Sequence, residues 1–326
     1  MGIFYLAAAL VIIVSLKYLS FVLVYIILSI FITVLLAPIF RFFDEKGLPA
    51  ILAFIITLAG FVAIFSGVFY IVENSIREFI ANMPLYESRF ESILKDFNSF
   101  LEKYDFKIDF SAFKDMDFVS ALKNFIGKAG TVISSFLVVV IGVSFLLFES
   151  KDFGKKLDLI TKNPDYFKAF FESVQKYFII KTFTSFLTGF FVGLMLYFLD
   201  VPYAFLFGFI SFLFNFIPVV GSIIASIPGI VIALITYGFE SFFYVSVLYF
   251  VINISISNIL EPKVMGEGLN LSPAVVFFSL IFWGWLFGMV GMFLAAPLTM
   301  TLKLAFRNYE KTKWLSVLLS NYKERG

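Results

Sequence analysis

The sequence contains no cysteine and no histidine, and only 15% of its 326 residues are charged. Without cysteine the chain has no disulfide, no thiolate nucleophile and no cysteine-ligated metal site. Without histidine it lacks the side chain that ordinarily shuttles protons near neutral pH. Hydrophobic residues make up 61% of the chain, against about 45–50% in a typical soluble domain. This balance excludes a water-soluble globular fold and a disordered chain, and it predicts that lipid surrounds much of the surface.

Stretches without Asp, Glu, Lys or Arg indicate where the chain crosses the membrane, since a spanning helix needs about 20 mostly apolar residues. Lys17 interrupts the first stretch and predicts a tight turn between two helices. The apolar runs do not alternate with polar residues, as the strands of a membrane β-barrel would. The predicted spans are about 3–16 and 19–37, then 47–72, 129–148, 182–199 and 241–260, with two longer charge-free runs at 201–239 and 268–302.

The distribution of Lys and Arg predicts the orientation, because basic residues concentrate on the cytoplasmic side. With both termini inside, the segments 41–46, 149–181, 261–267 and 303–326 lie inside and hold most of the basic residues. This holds only if each long run returns to the side from which it enters. We therefore predict two opposed hairpins, 201–239 entered from outside and 268–302 entered from inside.

The midpoint of each long run contains residues that break helices. The first midpoint falls in Pro218–Ser222, which includes Gly221, and the second falls between Gly284 and Gly288. Each arm has about 17 residues, or roughly 25 Å of helix, so both a re-entrant hairpin and two close-packed spans are open. The tips serve either substrate binding or close helix packing. The predicted fold is an all-α polytopic membrane protein with about eight transmembrane segments.

The chain divides into predicted regions along its length. Segment 73–128 is predicted to be an extracytoplasmic helical insertion, with Pro84 separating two helices and a third beginning after Asp117. Its apolar stripes either pack on the membrane part or on neighbouring protomers, and a soluble ligand-binding domain is the less favoured alternative. Segment 149–181 is predicted to be a cytoplasmic amphipathic helix that suits anionic lipids. The other regions are N-terminal membrane helices (1–72), a span (129–148), a transport core (182–302) and a basic cytoplasmic tail (303–326).

Neutral polar residues inside the apolar runs are costly in lipid unless they are paired. Asn215 precedes Pro218, and Asn253, Ser257 and Asn258 lie in the span 241–260. Asn253 and Ser257 are four residues apart and share a helical face. They either face a hydrated cavity that binds a sugar-like solute or hold neighbouring helices together. The N–H groups freed at Pro218–Ser222 are a further candidate for binding a substrate oxygen.

Glu261 is the most notable charge near the membrane because it ends a span and precedes Pro262, which is predicted to stop the helix. Lys263 follows two residues later. One interpretation is a Glu261–Lys263 pair at the inner mouth of a pathway, where it gates or exchanges a cation. The other is that both are ordinary interfacial charges at a helix end.

Four sequence motifs carry a resemblance to a known family. They are LLAPIFRFFDEKG at 35–47, FNFIPVVGSIIASIPG at 214–229, NILEPKVMGEGLNLSP at 258–273 and GWLFGMVGMFLAAPLTMTLK at 284–303. In order and spacing, and with the hydropathy layout, the chain resembles the autoinducer-2 exporter family over essentially its whole length. The resemblance implies a prokaryotic inner-membrane protein that exports the quorum-sensing signal autoinducer-2 or exchanges sodium or lithium for protons. It also implies a homo-oligomer, with a pentamer among the expected assemblies, and elevator-like movement of the hairpins.

The function predicted from these observations is secondary transport. The sequence has no G-x-x-x-x-G-K-[ST] phosphate loop, so ATP-driven pumping by this chain is disfavoured. The first hypothesis is an exporter of a small polar molecule that alternates access around the two hairpins. The alternatives are a Na⁺(Li⁺)/H⁺ antiporter and a passive pore or scaffold, while an enzyme is the least favoured. We expect no cofactor, metal or nucleic acid, and we expect membrane lipids and a small polar solute or monovalent cation as partners.

Overall fold

The chain is helical over almost all of the residues that the computed structural model describes, which are 2–102, 129–160, 164–218, 220–265, 271–307 and 310–321. Six of its helices are long and apolar enough to cross a membrane, and the fold is the predicted all-α polytopic membrane protein. The helices are α1 (Gly2–Tyr18), α2 (Ser20–Glu45), α3 (Ala50–Glu102), α4 (Ala129–Glu149), α5 (Phe153–Ile160), α6 (Pro164–Phe198), α7 (Ala204–Phe214), α8 (Val220–Tyr237), α9 (Phe239–Asn253), α10 (Glu261–Met265), α11 (Pro273–Phe293), α12 (Ala295–Arg307) and α13 (Lys313–Leu318).

The N-terminal pair turns at Leu19, close to the predicted position. Helix α2 then runs past the predicted end at 37, through Pro38, to Glu45. It packs on α3 and α4 through a cluster of buried apolar side chains that includes Phe40, Ala53 and Val143. Burial of this cluster fixes α4 against the N-terminal helices.

Helix α3 is one continuous helix of 53 residues, and the prediction that Pro84 separates two helices is wrong. A proline inside a helix removes one hydrogen bond and bends the helix. Here Phe79, Met83 and Tyr86, on both sides of this proline, are buried in one cluster with the first hairpin. Continuing the helix buries all three side chains together. The third helix predicted after Asp117 lies outside the described residues.

Helix α6 also crosses a predicted boundary. The amphipathic segment 149–181 and the span 182–199 were expected to be separate, but Pro164–Phe198 is one helix of 35 residues. Val174, Tyr177 and Phe178 on the predicted apolar face are buried against Leu294 and Ala296. This part of the face therefore packs on the second hairpin and not on lipid.

The first long run is a helical hairpin, as predicted. Helix α7 ends at Phe214, α8 begins at Val220, and the break between them contains Pro218. The break is a pair of tight turns in which the N–H of Ile217 donates to Phe214 O at 2.8 Å. A side chain at Gly221 would collide with the Phe214 carbonyl. This glycine is needed because the second arm begins directly against the end of the first.

The first arm of this hairpin packs very closely on α6. A Cβ atom added at Gly208 would lie 2.7 Å from the carbonyl oxygen of Gly189 and 3.0 Å from the Cα of Gly193. Without a hydrophobic driving force inside lipid, small residues that let backbones approach are a principal source of helix association. The three glycines therefore position the first hairpin on α6.

The second long run also folds back, and its break lies at the end of the predicted interval. Gly288 adopts φ 64°, ψ −146° inside α11, in the positive-φ region that glycine adopts without strain. Gly284 stays helical, and its Cα faces the side chain of Met292. The returning chain is fixed by Trp283 Nε1, which donates to Thr299 Oγ1 at 2.9 Å.

The span that follows the first hairpin does not stop at Glu261. Helix α9 continues through a π-helical segment, Ile254–Leu260, into α10, so Pro262 is inside the helix and the prediction that it ends the helix is wrong. Proline is tolerated in the first turn of a helix. Pro262 occupies such a turn, because the hydrogen-bond register changes at the end of the π segment.

The close packing of α6 on α7 leads to a direct test. We expect Gly208→Ala to lower the thermal midpoint in detergent, because an added methyl group meets backbone atoms and overpacking costs about 1–3 kcal/mol. Gly67→Ala in α3 is the matched control, since its added Cβ meets open space and alanine favours a helix by about 1 kcal/mol. Equal midpoints for the two variants would contradict the proposed contact.

Candidate functional site

One face of α6 is polar although it is buried in the membrane part of the protein. Lys181, Thr184, Ser185 and Thr188 are each at most 5% exposed. Their spacing places them on one side of the helix. Buried polar groups are expensive in an apolar surrounding unless they find partners, so this stripe determines which residues of other helices must meet it.

The charge in this stripe is neutralised by Glu261. Lys181 Nζ lies 2.8 Å from Glu261 Oε1 and 2.9 Å from Oε2. Thr184 Oγ1 donates to the same carboxylate at 3.2 Å. The lysine and glutamate side chains are only 6% and 16% exposed, so the pair is shielded from solvent. Lys263, the predicted partner of Glu261, is exposed.

Asn215 joins the break of the first hairpin to the same stripe. Its Nδ2 donates to Ser185 Oγ at 3.0 Å, and its Oδ1 accepts a hydrogen bond from Ser257 Oγ at 3.1 Å. Asn215 is 3% exposed. Because Ser185 belongs to α6 and Ser257 to the π segment, this single amide ties three elements together. We call the set Lys181, Thr184, Ser185, Asn215, Ser257 and Glu261 the polar column.

The π segment determines which side chains of this span enter the polar column. It orients Ser257 toward Asn215 and ends immediately before Glu261. Asn258 is exposed and does not reach the column, whereas Asn253 is half-buried. The Oδ1 atom of Asn253 is buried and has no hydrogen-bond partner within the described residues. π-Helical turns occur often at functional sites, and this one begins directly after Asn253.

The remaining predicted residues of the first tip have other surroundings. Pro218 and Ser222 are half-buried, and Gly221 makes the close approach to Phe214. The preceding Phe216 and Ile217 turn toward the second hairpin. No hydrogen bond joins the side chain of Ser222 to the polar column within the described part of the chain.

The tips of the two hairpins meet through an apolar contact. Ile217 packs in one cluster with Leu286 and Phe287 of α11. The rings of Phe216 and Phe293 have centroids 6.4 Å apart. The two breaks therefore meet through apolar side chains, next to the residue Asn215 of the polar column.

The second tip is held by Lys17 in the last turn of α1. Its Nζ donates to the carbonyl oxygens of Trp285 and, at 3.4 Å, of Leu286. It also lies 5.4 Å from the centre of the Trp285 ring. These carbonyls lose their helical partners because Gly288 interrupts the helix. Gly288 therefore creates the break that Lys17 caps, whereas Gly284 packs against Met292.

The sequence reasoning missed Lys181, Thr184, Ser185 and Thr188. Lys181 was assigned to the cytoplasmic end of the preceding segment, and the others were not singled out. A signal was present, since the four residues recur at helical spacing in a stretch otherwise rich in phenylalanine. Polar periodicity in an apolar helix indicates a face turned away from lipid.

A buried charged column beside a broken helical hairpin is the arrangement found in membrane transporters. The comparisons with known proteins agree. The family model described as "AI-2E family transporter" matches residues 4–311, and the chain belongs to this family of multi-pass membrane transporters.

Relatives match the chain along nearly all of its length. A "Putative transport protein" of Haemophilus influenzae is 34% identical over 98% of this chain and 95% of its own. The "AI-2 transport protein TqsA" of Escherichia coli K12 is 31% identical over 95% of this chain and 93% of its own. The "Putative transport protein YhhT" of the same organism is 28% identical, with 96% and 92% covered.

The buried ion pair predicts an asymmetric response to mutation. We expect Lys181→Met to lower the free energy of unfolding by about 3–5 kcal/mol, because it leaves the Glu261 carboxylate without its cation. The double variant Lys181→Met with Glu261→Gln should recover much of this loss, since no unpaired charge remains. Thermal unfolding in detergent measures both.

The matched control for this experiment is Lys263→Met. Lys263 is exposed and close in sequence to Glu261, so its replacement should change the free energy of unfolding by about 0.5 kcal/mol or less. A double variant that is no more stable than Lys181→Met alone would contradict a pairwise interaction.

Proposed function

We propose that this chain is a secondary transporter that exports a small polar molecule by alternating access around its two hairpins. The observation that carries the proposal is the polar column, in which Asn215 at the break of the first hairpin bonds to Ser185 and Ser257. Hydroxyl, amide and charged groups of this kind can exchange their mutual hydrogen bonds for those of a solute with several hydroxyl groups. The relative named as an AI-2 transport protein supports autoinducer-2, a sugar-derived molecule, as the first solute to test.

The arrangement of the hairpins supports a mechanism for this transport. In this mechanism the apolar contact of Phe216 and Ile217 with the second hairpin would separate the polar column from one side of the membrane. Parting of the two tips would open the column to that side. The first hairpin is held on α6 by close glycine contacts, and the second tip is held by Lys17. Because α6 also contacts Leu294 and Ala296 of the second hairpin, movement of either hairpin would change its packing against α6.

The proposed location is the inner membrane of a prokaryote, with both termini in the cytoplasm. Glu240 and Glu261 support opposed entry of the hairpins, because they lie near opposite ends of the single helical stretch Phe239–Met265. A homo-oligomer, with a pentamer as the expected assembly, remains part of the proposal. The proposal also includes an extracytoplasmic position of segment 73–128 and a cytoplasmic position of the tail 303–326.

The transport hypothesis is tested with labelled autoinducer-2 and Asn215→Ala. In cells that lack other exporters of this molecule, expression of the protein should lower the internal label. Asn215→Ala should reduce the export efficiency by roughly 2- to 10-fold, the equivalent of one lost neutral hydrogen bond. Ser226→Ala is the matched control on the same hairpin, because among the described residues its hydroxyl donates to Ile223 O of its own helix and not to the polar column. Internal label unaffected by the wild-type protein would refute autoinducer-2 as the solute.

A second candidate function, Na⁺(Li⁺)/H⁺ antiport, is favoured by the Lys181–Glu261 pair. A cation that reaches the Glu261 carboxylate would replace the Lys181 ammonium as its partner. Protonation would then remove the charge of the carboxylate, so that it would hold neither the cation nor the ammonium. Such an exchange couples a cation to a proton without histidine. Thr184, which also bonds to Glu261, supplies a neutral oxygen beside the exchanging charge.

Antiport is measured in liposomes that contain the protein and a trapped pH dye. A sodium gradient should change the internal pH with the wild-type protein and not with Glu261→Gln. Glu240→Gln, at the opposite end of the same helical stretch, should behave as the wild type. A wild-type protein that produces no sodium-dependent change in pH removes this candidate.

A further inference from the structure

The short helix α13, which follows α12, exposes its apolar side chains and buries a polar one. Helix α13 turns Trp314, Val317 and Leu318 outward, and these side chains are 60%, 64% and 64% exposed. They are three and four residues apart and form one face. Ser316 faces the protein and is 5% exposed. A helix that buries its serine and exposes its tryptophan is unfavourable in water and favourable at a lipid surface.

Three contacts fix this segment beside the membrane helices. The N–H of Ser272 donates to Leu319 O at 3.2 Å, and Leu271 pairs with Ser320 in an isolated β-bridge. Thr312 Oγ1 donates to Phe306 O at 2.8 Å. The segment is therefore held between the first turn of α11 and the end of α12. The start of α11 and the end of α12 are the two open ends of the second hairpin, opposite its tip.

The charges around the apolar face have one predominant sign. Lys311 and Lys313 are exposed and directly precede Trp314, and Glu310 is the one acidic residue between positions 310 and 321. Each basic residue near an anionic membrane surface contributes about 1 kcal/mol of attraction. Tryptophan is itself enriched at the boundary between headgroups and acyl chains.

We propose that the segment Glu310–Leu318 is a binding site for anionic phospholipid. Trp314, Val317 and Leu318 insert at the boundary between headgroups and acyl chains, and Lys311 and Lys313 lie on the lipid phosphates. Ser272 is the N-cap of α11. Its contact with Leu319 therefore joins the lipid site to the entrance of the second hairpin, so that anionic lipid stabilises this hairpin in the position described here.

The inference is tested in the full-length protein with a single label. The sequence has no cysteine, so Val317→Cys carries an environment-sensitive fluorophore at one position only. The protein is placed in vesicles of phosphatidylcholine alone or of phosphatidylcholine mixed with phosphatidylglycerol. We expect a blue-shifted emission, quenching by lipids with brominated upper acyl chains, and loss of quenching by aqueous acrylamide. The protection from acrylamide should be greater in the vesicles with phosphatidylglycerol.

Charge variants separate lipid binding from other causes of protection. The pair Lys311→Gln and Lys313→Gln should abolish the difference between the two vesicle compositions, and the pair Lys311→Arg and Lys313→Arg should keep it. A label that acrylamide quenches equally in both vesicles would overturn the proposal. Equal protection in both, together with disulfide cross-linking of the unlabelled Val317→Cys variant between two copies of the chain, would also overturn it, because the face would then be covered by a second protomer.

Discussion

The structure depends on one constraint, which is that a helix broken inside lipid must satisfy its freed backbone groups within the protein. The two hairpins meet this constraint differently. The first closes its break with tight turns of its own backbone between Phe214 and Val220. The second leaves the carbonyls of Trp285 and Leu286 open, and the ammonium of Lys17 occupies them. Lys17 interrupts the apolar N-terminal run, and its role is to bind the carbonyl of Trp285, which is 268 residues away in the sequence.

Much of this architecture was predictable because lipid restricts the choices of the chain. Charge-free runs revealed the helices, and helix-breaking residues near the run centres revealed both hairpins. Proline was less informative, since Pro84 and Pro262 both lie inside helices. The helix continues through Pro84 because this buries apolar side chains, and Pro262 is accommodated after a change in helical register. The partner of Glu261 was beyond prediction, because Lys181 is 80 residues away and the packing of α6 against the stretch Phe239–Met265 brings them together.

The polar column shows how the predicted site residues divide. Asn215, Ser257 and Glu261 meet on the buried face of α6, with Asn253 close by in sequence and half-buried. Asn258 and Lys263 are exposed and do not reach this face. The predicted site glycines, Gly221, Gly284 and Gly288, have packing or conformational roles. These roles follow from the backbone geometry, and the spacing of glycines in the sequence does not distinguish them from substrate binding.

Helix α3 has a mechanical consequence. With 53 residues it is about 80 Å long at 1.5 Å per residue, while the hydrocarbon layer is only about 30 Å thick. The helix is therefore much longer than the layer that it can cross, so a large part of it extends beyond the hydrocarbon. Because Phe79, Met83 and Tyr86 rest on the first hairpin, a rotation of that hairpin would also act on α3 and would displace the far end of this helix more than the part at the hairpin.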